Sequence, residues 1–191
     1  MQKLFVDENL KYDGSQLKSL FAYMNYGLLG DSIVAWQGPC DVAFDQMIDG
    51  EDLRAKSRIC SDQMVHFIVE QFAMNLPNAI AMQRLLAAIV ADQIRKMIET
   101  KMSALTVRRD GDDIYIGEGK LSISIATVSQ VSALIHFAVN VTNAGTPVKT
   151  AALSDLHIEP TAFAKAILDT FSREAISIRE ATCKVRPAHS Y

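Results

Sequence analysis

The second half of the chain contains two runs in which apolar residues alternate with polar or small ones. This two-residue period limits the possible folds most, because it is typical of strands whose side chains point alternately to the two faces of a sheet. We predict strands over residues 121–126 and 134–141, joined by a hairpin. Further strands are predicted over residues 105–109 and 114–116, separated by an Asp-Gly pair that favours a tight turn.

A long apolar stripe with helical spacing lies upstream of these strands. Pro77 stands where a first helical residue belongs, and Asn75 is a suitable cap. The pattern predicts the longest helix of the chain. A last amphipathic helix is predicted after Pro160, followed by a basic and less regular tail over residues 176–186. The stripe of the long helix comprises Ile80, Leu86, Val90, Ile94 and Met97.

The first third of the chain mixes both periods. Its helix over residues 17–28 is expected to stop at Gly30, and Gly38-Pro39 is expected to form a turn between two short strands. Strands and helices in clusters, without strict alternation, indicate an α+β fold with a largely antiparallel or mixed sheet flanked by helices. We expect one domain over residues 1–191. The remaining predicted elements are strands over 33–36, 42–44 and 65–72, and a helix over 51–59.

Composition excludes several classes of protein. The 191 residues include 19 basic and 22 acidic side chains, which argues against a surface that tracks nucleic acid along its whole length. No apolar stretch has the length of a signal-peptide core or of a membrane span. Three widely spaced cysteines without a C-x-x-C pair fit reduced, buried thiols in the cytoplasm. These residues are Cys40, Cys60 and Cys183.

The predicted hairpin suggests a binding surface. If the small and polar faces of its two strands lie side by side, they form a polar floor with room for a small ligand. A solvated sheet face explains the same pattern equally well. The residues of this floor are Lys120, Ser122, Ser124, His136 and Asn140.

Two side chains interrupt apolar elements elsewhere. Arg84 in the long helix either extends along the helix edge to solvent or reaches a pocket as an anion clamp. His66 in an apolar strand is most simply a hydrogen-bonded core residue. A metal held by His66 and His136 with Asp7 or Glu8 is the less favoured alternative, and we predict no metal site. The motifs G-x-S-x-G, G-x-G-x-x-G and the P-loop are absent.

Two segments of the second half follow each other in a recognisable order. Residues 111–126, Gly-Asp-Asp-Ile-Tyr-Ile-Gly-Glu-Gly-Lys-Leu-Ser-Ile-Ser-Ile-Ala, precede the histidine-containing run Ile-His-Phe-Ala-Val-Asn at 135–140. This order resembles a stretch of the catalytic domains of biotin and lipoate protein ligases, in which a strand leads through a glycine turn to a lysine strand. Residues 32–38 resemble an early strand of the same fold. The resemblance extends to the superfamily that these ligases share with class II synthetases.

A second set of motifs extends over nearly the whole chain. These motifs are Val-Asp-Glu at 6–8, Tyr-Asp-Gly-Ser-Gln-Leu at 12–17, Gly-Asp-Ser-Ile-Val at 30–34, Gly-Pro-Cys-Asp-Val at 38–42, His-Phe-Ile-Val-Glu at 66–70 and Lys-Val-Arg-Pro at 184–187. They closely resemble the pattern of a mainly archaeal family known as domain of unknown function 366. This resemblance implies the same ligase-like fold.

The ligase resemblance implies roles for two residues. Lys120 matches the lysine that contacts the acyl carbonyl and the phosphate of an acyl-adenylate, where a cation stabilises developing charge. Asp113 matches an acid that helps to hold the nucleotide or its metal. The resemblance therefore implies ATP and Mg²⁺. However, the ligases carry a glycine-rich loop where residues 53–61 of this chain have no glycine, which argues against ATP use.

The sequence thus leads to two hypotheses. In the first, a ligase- or transferase-like enzyme handles a small acyl or carboxylate ligand, with Lys120 as the catalytic residue. Substrate contacts are assigned to Ser122, Ser124, His136, Asn140, Arg84 and Asp113. In the second, a non-catalytic small-molecule-binding protein has kept the fold and lost the nucleotide. We also expect a homodimer, no membrane contact and no nucleic acid partner, although the class II synthetase relationship leaves an RNA-linked enzyme as a third alternative.

Overall fold

A computed structural model describes residues 1–98 and 105–186, which form an α+β structure with two sheets. The predicted fold class is confirmed. The helices are α1 (Phe21–Tyr26), α2 (Gly50–Ala55), α3 (Leu76–Ile98) and α4 (Pro160–Lys184). The strands are β1 (Gln2–Val6), β2 (Ser32–Val42), β3 (Ile59–Phe72), β4 (Val107–Asp110), β5 (Asp113–Ile116), β6 (Gly119–Lys120), β7 (Ser122–Val128) and β8 (Ser132–Asn140).

The main sheet has the strand order β1-β2-β3-β8-β7, and the small sheet has the order β4-β5-β6. In the main sheet β1 pairs in parallel with β2, and the other neighbours are antiparallel. The predicted strand over residues 65–72 is confirmed as the second half of a longer strand, β3. The predicted hairpin of β7 and β8 is also confirmed, so the fold joins strands close in sequence by short links.

Two apolar clusters cover the two faces of the main sheet. On one face, the helices α3 and α4 pack against side chains such as Phe67 and Phe137, which are fully buried. On the other face, Trp36 and Met64 pack with Tyr12, which comes from the loop after β1. Alternation along each strand therefore supplies both clusters. The second face also carries the side chains of His66 and His136, which stack against Trp36 and Tyr12 respectively.

The beginning of α3 agrees with its sequence signals. The side-chain oxygen of Asn75 accepts a hydrogen bond from the backbone N–H of Asn78 at 3.0 Å, as expected of a cap. Pro77 occupies the first turn, where it lacks only an N–H that would be unpaired in any case. Within the described ranges, none of the helices combines the length and the apolar character needed to cross a bilayer.

The helix predicted over residues 17–28 is wrong in extent, because α1 covers six residues only. Leu20 adopts a left-handed conformation with φ 64°, and both carboxylate oxygens of Glu70 accept a hydrogen bond from its N–H, at 2.9 and 3.0 Å. This contact from the sheet interrupts the helical pattern. Gly27, also left-handed, ends the helix three residues before the expected Gly30.

The two short strands predicted around Gly38-Pro39 are one strand, β2. The pairing register with β3 shifts between Gly38 and Cys40, so the strand passes Pro39 at a bulge. A bulge tolerates proline because the missing N–H removes no ladder hydrogen bond. The predicted tail over residues 176–186 is wrong as well, since α4 remains helical to Lys184.

The predicted polar floor is wrong in its arrangement. In the hairpin, Ser122 lies opposite Val139 and Ser124 lies opposite Phe137, so both serines share the face covered by α3. His136 lies opposite Ile125 on the other face. The alternation within each strand is as predicted, but the register between them differs by one residue, and a shift of one residue moves every side chain to the other face.

Candidate functional site

A cavity of about 490 Å³ lies beside the edge strand β7 and the face of the main sheet on which Tyr12 packs. Small-molecule sites commonly have volumes of this order. Its walls come from β7 and β8, from the segment that includes α2, and from the loop over residues 146–150. Residues separated widely in sequence thus converge on one partly open cavity, which makes it the candidate functional site.

One end of the cavity is formed by stacked rings. The ring of Tyr12 lies on the ring of His136 with centroids 3.6 Å apart and planes 12° apart. Behind it, Nε2 of His136 lies 3.1 Å from Nδ1 of His66, and Nε2 of His66 lies 3.1 Å from the carbonyl oxygen of Gly38. His66 is fully buried and His136 is 3% exposed. The interpretation of His66 as a hydrogen-bonded core residue is confirmed.

This chain of contacts fixes where the protons lie. The Gly38 carbonyl only accepts, so Nε2 of His66 must carry a hydrogen and donate it. Burial lowers the pKa of His66 to about 4, so the ring is neutral at pH 7 and its Nδ1 accepts. Nε2 of His136 therefore donates to His66. Burial also holds the pKa of His136 well below its usual value, so Nδ1 of His136 is an unprotonated acceptor.

The bulge in β2 positions this end. Leu10 donates its N–H to the carbonyl of Gln37, and Tyr12 donates its N–H to the carbonyl of Pro39. A β-carbon at Gly38 would overlap the Leu10 carbonyl oxygen, so the two chains approach this closely only with glycine at that position. The indole Nε1 of Trp36 donates to the same Leu10 carbonyl at 2.9 Å. The loop after β1 is thereby held against the sheet, with Tyr12 over His136.

The other end of the cavity carries an ion pair. Nζ of Lys120 lies 2.9 Å from a carboxylate oxygen of Asp113, and each side chain is about one-third exposed. Gly119 permits the close approach of the loop at Thr150, because a β-carbon there would lie 2.8 Å from backbone atoms of that loop. The side-chain amide of Asn140 donates to the carbonyl of Lys120 at 3.3 Å and to that of Ala151 at 3.2 Å. The position of Lys120 is thus fixed by the hydrogen bond to its backbone carbonyl and by the ion pair of its side chain.

Acidic side chains outnumber basic ones around the cavity. Its lining includes five carboxylates but only two permanent cations, Lys120 and Arg58. Lys120 is paired with Asp113, and Arg58 lies 3.4 Å from Asp41. Burial and the nearby Asp49 raise the pKa of Asp52. The five carboxylates are Asp49, Glu51, Asp52, Asp112 and Asp113.

This environment is unfavourable to a nucleoside triphosphate. Phosphate oxygens would meet carboxylates without free cations, and residues 53–61 provide no glycine for a close approach of the backbone. Of the basic residues in that segment, Arg58 lines the cavity, whereas Arg54 and Lys56 do not appear in its lining. In the described ranges, no three His, Cys, Asp or Glu side chains are grouped so that they could hold a metal ion.

Arg84 does not line the cavity, but it forms an ion pair with Asp112, which does. Its guanidinium Nη1 is 3.2 Å from an Asp112 oxygen. The other Asp112 oxygen accepts hydrogen bonds from the Gln83 amide at 2.9 Å and from the Ser124 hydroxyl at 2.5 Å. This network ties the turn before Asp113 to α3 and β7. Neither of the two roles weighed for Arg84 describes this ion pair.

The structure brings the other six predicted site residues to the cavity: Lys120, Ser122, Ser124, His136, Asn140 and Asp113. Two of them have structural partners, because Ser122 accepts a hydrogen bond from the Ile114 N–H and Ser124 binds Asp112. Sequence reasoning missed Tyr12 and the acidic segment at α2. The acidic stretch Asp-Gly-Glu-Asp at 49–52 was a detectable signal, whereas nothing in the spacing around Tyr12 indicates its partner.

The three cysteines occupy different environments. Cys40 is buried, and burial raises the pKa of its thiol to about 12, which agrees with the prediction of an inert buried residue. Cys60 is partly exposed and lines the cavity, and Cys183 is exposed on α4, so the prediction of burial is wrong for these two.

Known structures share this fold. A protein of unknown function from Pyrococcus horikoshi aligns with a TM-score of 0.92 and 38% identity, over 98% of this chain and 99% of that one. A variant of biotin protein ligase from Aquifex aeolicus in complex with biotin aligns with a TM-score of 0.61 and 11% identity, over 94% of this chain and 72% of that one. Lipoate protein ligases are similar at TM-scores between 0.53 and 0.57. At these low identities the ligases show the fold alone.

The sequence comparisons agree with the structural ones. An uncharacterized protein of Methanocaldococcus jannaschii is 34% identical over 165 residues, which cover 83% of this chain and 72% of that protein. The family described as Domain of unknown function (DUF366) matches residues 1–186, and the chain belongs to this family.

Proposed function

We propose that this protein binds a small, elongated acyl or carboxylate compound in the cavity, with Lys120 at the carbonyl or carboxyl end. The observation that carries the proposal is the position of Lys120: it lines the cavity, and its ammonium group is fixed by Asp113 at 2.9 Å. A cation at this point attracts a carbonyl or carboxylate oxygen, and the apolar wall holds the hydrocarbon part. That wall includes Met64, Ile123 and Ile125.

The charges around Lys120 favour an acyl carbonyl over a free carboxylate. Asp113 already balances the charge of Lys120, and further carboxylates line the same cavity. The carboxylate of a ligand would be repelled by these negative charges, and little unpaired positive charge is present to offset the repulsion. An amide or ester carbonyl accepts a hydrogen bond from the ammonium group without that repulsion. We therefore expect esters and amides to bind more tightly than the acids from which they derive.

A calorimetric titration tests this proposal. The probes are the straight-chain acids from butanoic to decanoic acid, with their methyl esters and primary amides. Wild type is expected to bind a subset of this series. Lys120→Ala should weaken that binding at least about tenfold, and Lys120→Arg should retain part of it. Equal affinity of wild type and Lys120→Ala for every probe that binds, or no binding of any probe, would overturn the proposal.

Acyl activation with ATP is the second candidate function. The observation in its favour is a lysine–aspartate pair on a fold that has been solved with biotin and ATP in a ligase. The excess of carboxylates and the absence of glycine over residues 53–61 oppose it. Release of pyrophosphate from ATP and Mg²⁺, dependent on an acid that binds, would favour this function over binding alone. Absence of release with a bound acid would leave the binding function.

A further inference from the structure

The stacked end of the cavity contains polar atoms that no described residue satisfies. Nδ1 of His136 has no hydrogen-bond partner among residues 1–98 and 105–186, and neither has the hydroxyl of Tyr12. Within those ranges, the side-chain nitrogen and oxygen atoms that are both inaccessible to solvent and without a hydrogen-bond partner are the Ser61 hydroxyl and the Gln71 carbonyl oxygen. Nδ1 of His136 and the Tyr12 hydroxyl are not in that group, so both atoms are accessible to solvent. Because Tyr12 and His136 line the cavity, we infer that this access is from the cavity.

The two atoms offer complementary functions. Nδ1 of His136 is an acceptor without a hydrogen, since the Gly38–His66–His136 chain uses the only proton of each ring. The Tyr12 hydroxyl is protonated at neutral pH, because burial raises its pKa far above the ordinary value, and it can donate. The two rings are stacked with their centroids 3.6 Å apart, so both polar atoms belong to one stacked pair at the same end of the cavity. Both side chains are only 3% exposed.

We propose that this end of the cavity recognises an uncharged ligand group that bears an N–H donor next to a carbonyl acceptor, as in an amide, lactam or cyclic urea. The N–H donates to Nδ1 of His136, and the carbonyl accepts from the Tyr12 hydroxyl. A cationic group is disfavoured here, because both rings are almost fully buried and a charge at this end would lose its hydration. A purely hydrocarbon group would leave Nδ1 buried and unpaired.

This recognition site is separate from Lys120. His136 and Asn140 lie on the same strand, four residues apart, and a strand rises about 3.4 Å per residue, which gives roughly 14 Å. Asn140 binds the backbone carbonyl of Lys120, so the backbone positions of His136 and Lys120 are far apart along the sheet. The inference deepens the proposed function and depends on it for the statement that one ligand spans both ends. A short fragment tests the stacked end alone.

Nitrogen-15 NMR of the histidine side chains provides the test. In the free protein, His136 is expected to carry its hydrogen on Nε2, with an unprotonated Nδ1. The probe is 2-pyrrolidinone, and the matched control is γ-butyrolactone, which has the same ring but no N–H. The lactam should shift the Nδ1 signal of His136 and bind at least about tenfold more tightly than the lactone. A protonated Nδ1 in the free protein, no shift with the lactam, or equal affinity for both rings would overturn the inference.

Two variants separate this inference from the proposed function. Tyr12→Phe keeps the stacked ring and removes the hydroxyl, so the lactam should bind several-fold more weakly while the free His136 tautomer is unchanged. Lys120→Ala should leave lactam affinity unaltered, because the fragment is too short to reach that end. Preference for the lactam together with Lys120-independent binding of the acyl series would refute the proposed function only. Equal affinity for the lactam and the lactone, together with Lys120-dependent binding of the acyl series, would refute this inference only.

Discussion

The two ends of the cavity are built by different physical means. At the Tyr12–His136 end, neutral rings are almost fully buried, and each hydrogen bond between them depends on the next. At the Lys120–Asp113 end, charged side chains remain about one-third exposed and lie among further carboxylates. Burial makes the first end a part of the core. The second end is a screened surface of the cavity, where charge affects ligands more than it affects stability.

This comparison predicts that changes at the stacked end mainly reduce stability. Gly38→Ala should have the largest effect, because the new β-carbon overlaps the Leu10 backbone, which cannot rotate away as a side chain could. We expect a loss of about 3 kcal/mol in the free energy of unfolding, measured with urea. Gly50→Ala is the matched control, since open space surrounds a β-carbon there, and its change should stay within about 0.5 kcal/mol. Similar losses in both variants would contradict the account of the bulge.

Acidification should affect the stacked end next most strongly. His66 has a folded pKa of about 4 against 6.5 when unfolded, so between these pH values the unfolded chain binds the proton and the folded one does not. Stability is therefore complete above pH 6.5 and is lost as the pH falls towards 4, by up to about 3 kcal/mol for this residue. His136 acts in the same direction.

Urea unfolding at several pH values between 6.5 and 5 measures this loss. His157→Gln provides the control, because His157 is exposed and its removal should leave the pH dependence intact. His66→Gln should flatten the dependence. An unchanged slope in His66→Gln would show that this end does not exclude protons as the geometry requires.

The charged end should show the reverse behaviour. Lys120→Ala removes an ion pair that is partly exposed, so the free energy of unfolding should fall by less than about 1 kcal/mol. The variant Asp113→Asn should be equally mild. Thermal and urea unfolding of both variants, beside the ligand titrations, would separate stability from binding. A loss of several kcal/mol in either variant would remove the distinction between the two ends.

The smallest effect is expected at Asp52. Its pKa is raised by burial and by Asp49, so the ionised carboxylate is unfavourable in the folded state above that pKa. Removing the charge with Asp52→Asn should therefore stabilise the protein at pH 7, by no more than about 1 kcal/mol after solvent screening. The gain should shrink as the pH falls and Asp52 itself becomes protonated. Destabilisation at pH 7 would contradict this electrostatic account.

Local patterns predicted the elements that depend on their own residues. The apolar stripe and the Asn75 cap predicted α3, and the two-residue period predicted β7 and β8. The extent of α1 could not be predicted, because the interruption at Leu20 comes from Glu70 in a distant strand. One strand was predicted as two for a related reason: the bulge that accommodates Pro39 depends on pairing with β3.

The candidate site was predicted in part. Lys120 and Asp113 were identified through the resemblance to ligases, and His136 through its place on a strand face. The pairing of the two faces was wrong because register depends on the turn between the strands, which alternation does not specify. Tyr12 was missed because its contact with His136 joins two segments that are far apart in sequence.

Native mass spectrometry of the wild-type protein and Lys120→Ala tests the central claim most directly. Each protein is incubated with the pooled acids, esters and amides and then freed of unbound compounds. The account predicts that wild type retains one or more acyl compounds, amides and esters in preference to acids, and that Lys120→Ala loses them while its charge distribution still indicates a folded chain. Equal retention by both proteins, or none by wild type, would contradict the claim that this cavity holds an acyl group at Lys120.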